Sequence, residues 1–144
     1  MRLAAVARKV GRTDEALHMA RAAIDAHARG DTNGRVDRDR LGVAWHEQGR
    51  TAQAGGHVEE AARHFGQAID SKREGDPHGR VDHERLGAAH HALGTSWRER
   101  GDLARARRHF GLAVAEKRQG DTFGRVDTTS VEASIAALAV PDGP

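Results

Sequence analysis

The chain has 144 residues, no cysteine and a formal net charge of +2 from 23 basic and 21 acidic side chains, which fits one compact domain or one short array and leaves no room for two full domains. Alanine supplies 26 residues against 28 for all larger apolar types together, so a core of bulky interdigitated side chains is excluded, and helices that approach closely through small residues are the ordered alternative to a loose polar chain. The missing thiols exclude a disulfide framework, a thiolate metal site and a cysteine nucleophile, and no apolar run reaches the roughly 18 residues of a membrane helix, so the sequence reads as cytoplasmic with no membrane partner. The pI of 9.6 rests on 20 Arg against 3 Lys. That skew looks like the codon usage of a GC-rich bacterial genome, and direct nucleic-acid binding is disfavoured.

Gly-Arg-Val-Asp occurs at Gly34, Gly79 and Gly124, 45 residues apart each time, and each copy follows a Gly-Asp pair at Gly30, Gly75 or Gly120. Laying residues 31–75 on 76–120 without a gap gives 21 identities in 45 positions, which marks an internal repeat. In chain order, residues 1–30 are the second half of a partial first repeat, with Gly11, Ala16, Ala20 and Ala23 under Gly56, Ala61, Phe65 and Ala68. Met1 aligns with His46, so a first helix starts partway and leaves Leu3, Val6 and Val10 as an open stacking face. Either the chain is a piece of a longer array, or a partner or a second copy covers that face, and the second case is the basis for a homo-oligomer through it.

The second repeat, 31–75, opens with a helix over about 32–54, whose apolar positions are Val36, Leu41, Ala44, Trp45 and Ala52, and Gly55-Gly56 ends it. A second helix follows over 57–73. Val58, Ala61, Ala62, Phe65, Ala68 and Ile69 recur on it at spacings of three and four, with Glu59, Glu60, Arg63 and Lys72 on other faces. Gly75 stands where a left-handed glycine closes a helix, and Asp76-Pro77 reads as an N-cap followed by proline at the first helical position. The third repeat, 76–120, copies this plan with Leu103, Ala106, Phe110, Ala113 and Val114. Residues 121–144 form a capping helix over about 131–140 and a tail stopped by Pro141 and Pro144. Hairpins of this kind bury their stripes only by stacking, so the expected fold is all-α, an α-solenoid of antiparallel helical hairpins spanning 1–144 as one domain.

Leu93-Gly94, Trp97, Gly101-Asp102, Ala106, Phe110 and Ala113, with Trp45, Gly49, Ala61, Phe65 and Ala68 one period earlier, resemble the tetratricopeptide repeat pattern. Gln48, His90, Ala52, Arg73 and Arg118 depart from it. The 45-residue unit is longer than the usual repeat by about three helical turns, so both helices lengthen with their faces in phase. The long unit looks like the extended arrays of bacterial regulators and scaffold proteins. The resemblance implies a non-catalytic adaptor that binds a protein or peptide in the groove lined by the first helices. Carried onto this chain, the groove positions are Arg8, Lys9, His46, Arg50, Gln53, His91, Thr95 and Arg98. Their basic character points to an acidic or carboxylate-bearing peptide, with Arg50 and Arg98 as forked donors. The alternative is a peptide-sensing or regulatory module detached from a bacterial transcription regulator.

Nothing speaks for an enzyme. The ten histidines include the repeat pairs His46/His91 and His64/His109, and neither His83 nor His90-His91 completes a metal-ligand pattern, so no metal and no cofactor is expected. The Gly-Arg-Val-Asp turns lack the preceding strand and the following Lys of a phosphate loop. Ser71, Ser96, Ser130 and Ser134 have no recognisable catalytic partner.

Overall fold

The computed structural model describes residues 13–31 and 34–139. Among the described residues there are six helices and no strand: α1 (Thr13–Arg29), α2 (Arg38–Ala54), α3 (Val58–Glu74), α4 (His83–Glu99), α5 (Leu103–Lys117) and α6 (Thr128–Ala139). The helices pack most extensively as the pairs α2 with α3 and α4 with α5, α3 leans on α4, and α1 and α6 flank the stack on α2 and α5. The chain is an all-α solenoid of antiparallel hairpins. Arg8, Lys9 and the Leu3, Val6 and Val10 face lie outside the described residues.

The repeated Gly-Asp-x-x-Gly-Arg-Val-Asp segment builds the turn between hairpins, and each position has a task. Gly75 takes φ +85°, and a Cβ there would meet the Arg80 carbonyl oxygen at 2.5 Å, so only glycine passes. The Asp76 carboxylate folds the loop by accepting from the backbone N–H groups of His78 and Arg80, both at 2.9 Å, and from Arg80 Nε at 2.8 Å. The backbone N–H of Arg80, then the Arg80 side chain and the N–H of His78, favour its ionised form and hold its pKa below the ordinary value. Val81 packs into the core, and Asp82 Oδ1 accepts from Arg85 N at 3.0 Å as the N-cap of α4. Asp37 does the same for α2. The helix expected from about residue 32 therefore starts at Arg38, and Asp76-Pro77 is not a cap. The aspartate six residues later caps the helix, because Asp76 spends its carboxylate on the turn.

The core runs through small contacts. Ala44, Ala52, Ala61, Ala68, Ala89 and Ala113 are fully buried beside Phe65 and Phe110. Gly49 and Gly94 give the two phenylalanines their space, since a Cβ would approach the rings at 2.6 and 2.9 Å. Removing either ring would leave a cavity of the kind that costs about 3–5 kcal/mol.

Lys72 departs from its expected polar face. It is only 3% exposed, and Lys117, one period on, is 4% exposed. Their stems lie where Gly42 and Gly87 lack a side chain, and a Cβ at Gly87 would meet Lys117 Cγ at 2.6 Å. Each ammonium reaches the first turn of the next first helix: Lys72 Nζ donates to the Arg85 carbonyl at 3.1 Å, and Lys117 Nζ to the Ser130 carbonyl at 3.0 Å. A long aliphatic stem can be buried provided its charged end finds acceptors.

Candidate functional site

The first helices α2 and α4 lie side by side, and a shallow groove of about 270 Å³ opens between them. His46, Arg50 and Gln53 line it from α2, His91 and Thr95 from α4, and Lys117 from α5. The spacing of four from His46 to Arg50 and from His91 to Thr95 puts each pair on one helical face. Five of the six described groove positions expected from the sequence thus share one surface. Arg98 is placed apart from that lining: its guanidinium lies over the Phe110 ring, 5.3 Å from the centroid. His91 meets the edge of the same ring with centroids 5.1 Å apart.

The side chains are already partly committed. His46 Nδ1 is 3.3 Å from Lys72 Nζ, an arrangement in which the ammonium donates and the ring nitrogen accepts. His91 Nδ1 lies 2.9 Å from Ser134 Oγ on α6. Burial, then the neighbouring Lys117 and Arg98 charges, hold the His91 imidazole below its ordinary pKa, so it is a neutral polar group at pH 7. Thr95 Oγ1 donates to the His91 carbonyl at 3.2 Å, which leaves its lone pairs for a visitor.

The groove is less uniformly basic than its first-helix residues suggested. Glu47 sits 3.6 Å from Arg50, and Glu99 accepts from Gln53 Nε2 at 3.3 Å across the two repeats. Both carboxylates were missed in the sequence, Glu47 because Ala92 stands one period on and Glu99 because Ala54 stands one period back. Lys117 was missed for another reason: its apolar-stripe register is polar. A signal existed in the rarity of lysine, since two of the three in the chain recur 45 apart. Arg50 keeps half of its side chain exposed and Arg98 is exposed, so both guanidinium groups remain reachable from solvent.

Among the described residues no group of three or more His, Cys, Asp or Glu side chains is placed to hold a metal ion. What the groove lining offers is a mixed set of hydrogen-bond donors and acceptors with one forked cation, Arg50, while Arg98 lies apart over Phe110.

Comparison with models of known protein families and with curated proteins finds no match. Solved structures do match. BtubC (BKLC) from P. vanneervenii superposes with a TM-score of 0.75 at 18% identity, covering 94% of this chain and 51% of that one. The nearly identical TPR-like repeats of a protein assigned as a kinesin light chain from Podosopora anserina superpose with a TM-score of 0.71 at 22% identity, covering 96% of this chain and 61% of that one. The chain therefore spans between half and two thirds of the length of these structures and has the fold of TPR-like helical repeats. No helix among the described residues is long and apolar enough to cross a membrane.

Proposed function

We propose that this TPR-like array is a non-catalytic adaptor that binds a protein or peptide segment along the groove between its first helices. The observation that carries the reading is the convergence of His46, Arg50, Gln53, His91 and Thr95 on one open surface. Repeats 31–75 and 76–120 supply the groove as one unit, with 1–30 and 121–144 flanking it in the same domain. The ligand is a segment with a side-chain or terminal carboxylate, held by the Arg50 or Arg98 fork, while Gln53 and Thr95 meet its backbone amides. The absence of cysteine accords with a cytoplasmic setting.

Fluorescence anisotropy with peptides ending in a free carboxylate, their amidated forms and lysine-rich counterparts tests this. Arg50→Glu and Arg98→Glu should each weaken the carboxylate peptide by about tenfold or more, the worth of one charge-assisted hydrogen bond. Equal binding of acidic and basic peptides, or indifference to both charge reversals, removes the reading.

A further inference from the structure

About half a turn round α4 from the first-helix groove, a larger trough runs between the second helices α3 and α5. It consists of two adjoining depressions of about 490 and 470 Å³ that share Arg63, Gly66, Leu93 and His109 and so form one continuous surface. Its floor is apolar, with Ala62, Ile69 and Leu93 all buried. Its walls are cationic. Arg63, Arg73, Arg100 and Arg108 line it against two carboxylates, Glu59 and Asp70, and Glu59 is already bridged to Arg100 at 3.1 Å.

Gly66 makes this trough more than a gap between cylinders. It sits inside α3, where glycine is the poorest helix former after proline. Gly42, Gly49, Gly87 and Gly94 each answer to a neighbour that a Cβ would strike, but a Cβ at Gly66 would meet nothing within 4 Å. Packing among the described residues gives no reason for it. The missing side chain leaves open the stretch of floor between Arg63 and Leu93. Gly111, one period on, is equally open.

We propose that the α3–α5 trough is a second docking groove, for an acidic protein segment that carries an apolar side chain. The apolar side chain lies over Gly66 against Leu93, and flanking carboxylates pair with the arginine forks of Arg63, Arg73 and Arg108. The buried apolar floor and the carboxylates of Asp70 and Glu59 favour this occupant over a nucleic-acid strand, whose unbroken phosphates would face both acids. The assignment stands independently of the first-helix groove.

The test uses the full chain and a fluorescein-labelled twelve-residue peptide rich in Glu and Asp with a central Leu. Controls are the same peptide with central Ser, a lysine counterpart and a single-stranded DNA of equal length. Gly66→Leu puts a side chain on the floor, its Cβ meeting nothing within 4 Å, and should weaken the acidic Leu peptide by about tenfold or more, at an unchanged or raised Tm. Arg63→Glu with Arg108→Glu should weaken it by a similar factor, and Arg29→Glu on α1 should leave it within about twofold. Four results would each overturn the proposal: no binding of the acidic peptide, binding no tighter than the lysine or central-Ser forms, full affinity in a folded Gly66→Leu variant, or preference for the DNA. Loss of binding in Arg50→Glu with Gly66→Leu unaffected would move the peptide to the first-helix groove, sinking this assignment while leaving that one standing.

Discussion

The two seams that join successive hairpins are built on one plan with different charges. Between α3 and α4, Lys72 caps the Arg85 carbonyl while the Arg85 guanidinium pairs with the buried Asp39 of α2. Between α5 and α6, Lys117 caps the Ser130 carbonyl, and Ser130 Oγ donates to Glu84 at 2.7 Å. Every partner sits one period from its counterpart. The inner seam is an ionic cluster of Lys72, Asp39 and Arg85. At the outer seam serine replaces the arginine, and Ser134 takes up both Lys117 at 2.9 Å and His91. The difference teaches that the repeat copies a shape, a lysine stem laid across a bare glycine, and leaves the electrostatics to be completed locally. Burial outweighs attraction at both seams. It lowers the Lys72 pKa to about 8 despite Asp39, raises that of Asp39 despite Arg85, and lowers that of Lys117.

The largest effect expected from breaking this plan is at the inner seam. Lys72→Ala empties the slot beside Gly42, strips the Arg85 carbonyl of its donor and takes a cation from Asp39. It should cost about 3 kcal/mol in urea unfolding, the low end for a broken buried pair because Arg85 remains. Lys117→Ala strips a donor from the Ser130 carbonyl and Ser134 Oγ and takes a cation from the neighbourhood of Glu84 and Asp127, but the Ser130 hydroxyl still serves Glu84, so it should cost only about 1–2 kcal/mol. Equal losses would dissolve the distinction between the seams. Lys72→Met, which keeps the stem, should recover part of the loss, since burial disfavours the ammonium.

A smaller effect separates the aromatic stacks of the two hairpins. Trp45 stacks on His64 with centroids 5.5 Å apart, and one period on His90 stacks on His109 at 5.6 Å. Burial, with the His109 charge second, lowers the His90 pKa to about 4. The unfolded chain binds a proton near pH 6.5 that the folded chain refuses, so this stabilisation is complete above pH 6.5 and is lost as pH falls towards 4. The loss by pH 4.5 should be about 2 kcal/mol. His90→Trp, which reproduces the inner stack, should reduce the slope of Tm against pH over that window, the remainder coming from His64, His91 and His109, whose pKa values burial also lowers, and an unchanged slope would place the acid sensitivity in those three.

The smallest contrast is an expected identity. Asp37 and Asp82 accept the same backbone hydrogen bond at 3.1 and 3.0 Å, so Asp37→Ala and Asp82→Ala should each lower stability by about 1 kcal/mol. A marked inequality in their denaturation midpoints would show that the two hairpins do not fold as one cooperative unit.

Much of this architecture was legible in one dimension. The 45-residue period, the apolar stripe from Ala61 to Ile69 and the break at Gly55-Gly56 depend on local geometry, and local geometry is written locally. The same locality misled at Asp76-Pro77, a pair that suits an N-cap and a tight turn equally well. The choice was made by backbone donors from His78 and Arg80 arriving at the Asp76 carboxylate.

The groove shows where sequence runs out. Its first-helix residues were readable from the repeat register, because side chains four apart share a face. The neutralising Glu99, the seat of Arg98 over Phe110 and the bond from His91 to Ser134 join different helices. No spacing along one helix encodes them. What the sequence alone determined is a stack of long helical hairpins closed by Gly-Asp turns, since periodicity, glycine placement and small-residue contacts are properties of each unit. What only the tertiary structure decided is which polar groups are buried between units. Lys72 reads as a surface residue on its own helix and becomes an interior one only because Gly42, on another helix, leaves room for its stem and Arg85, on a third, supplies an acceptor.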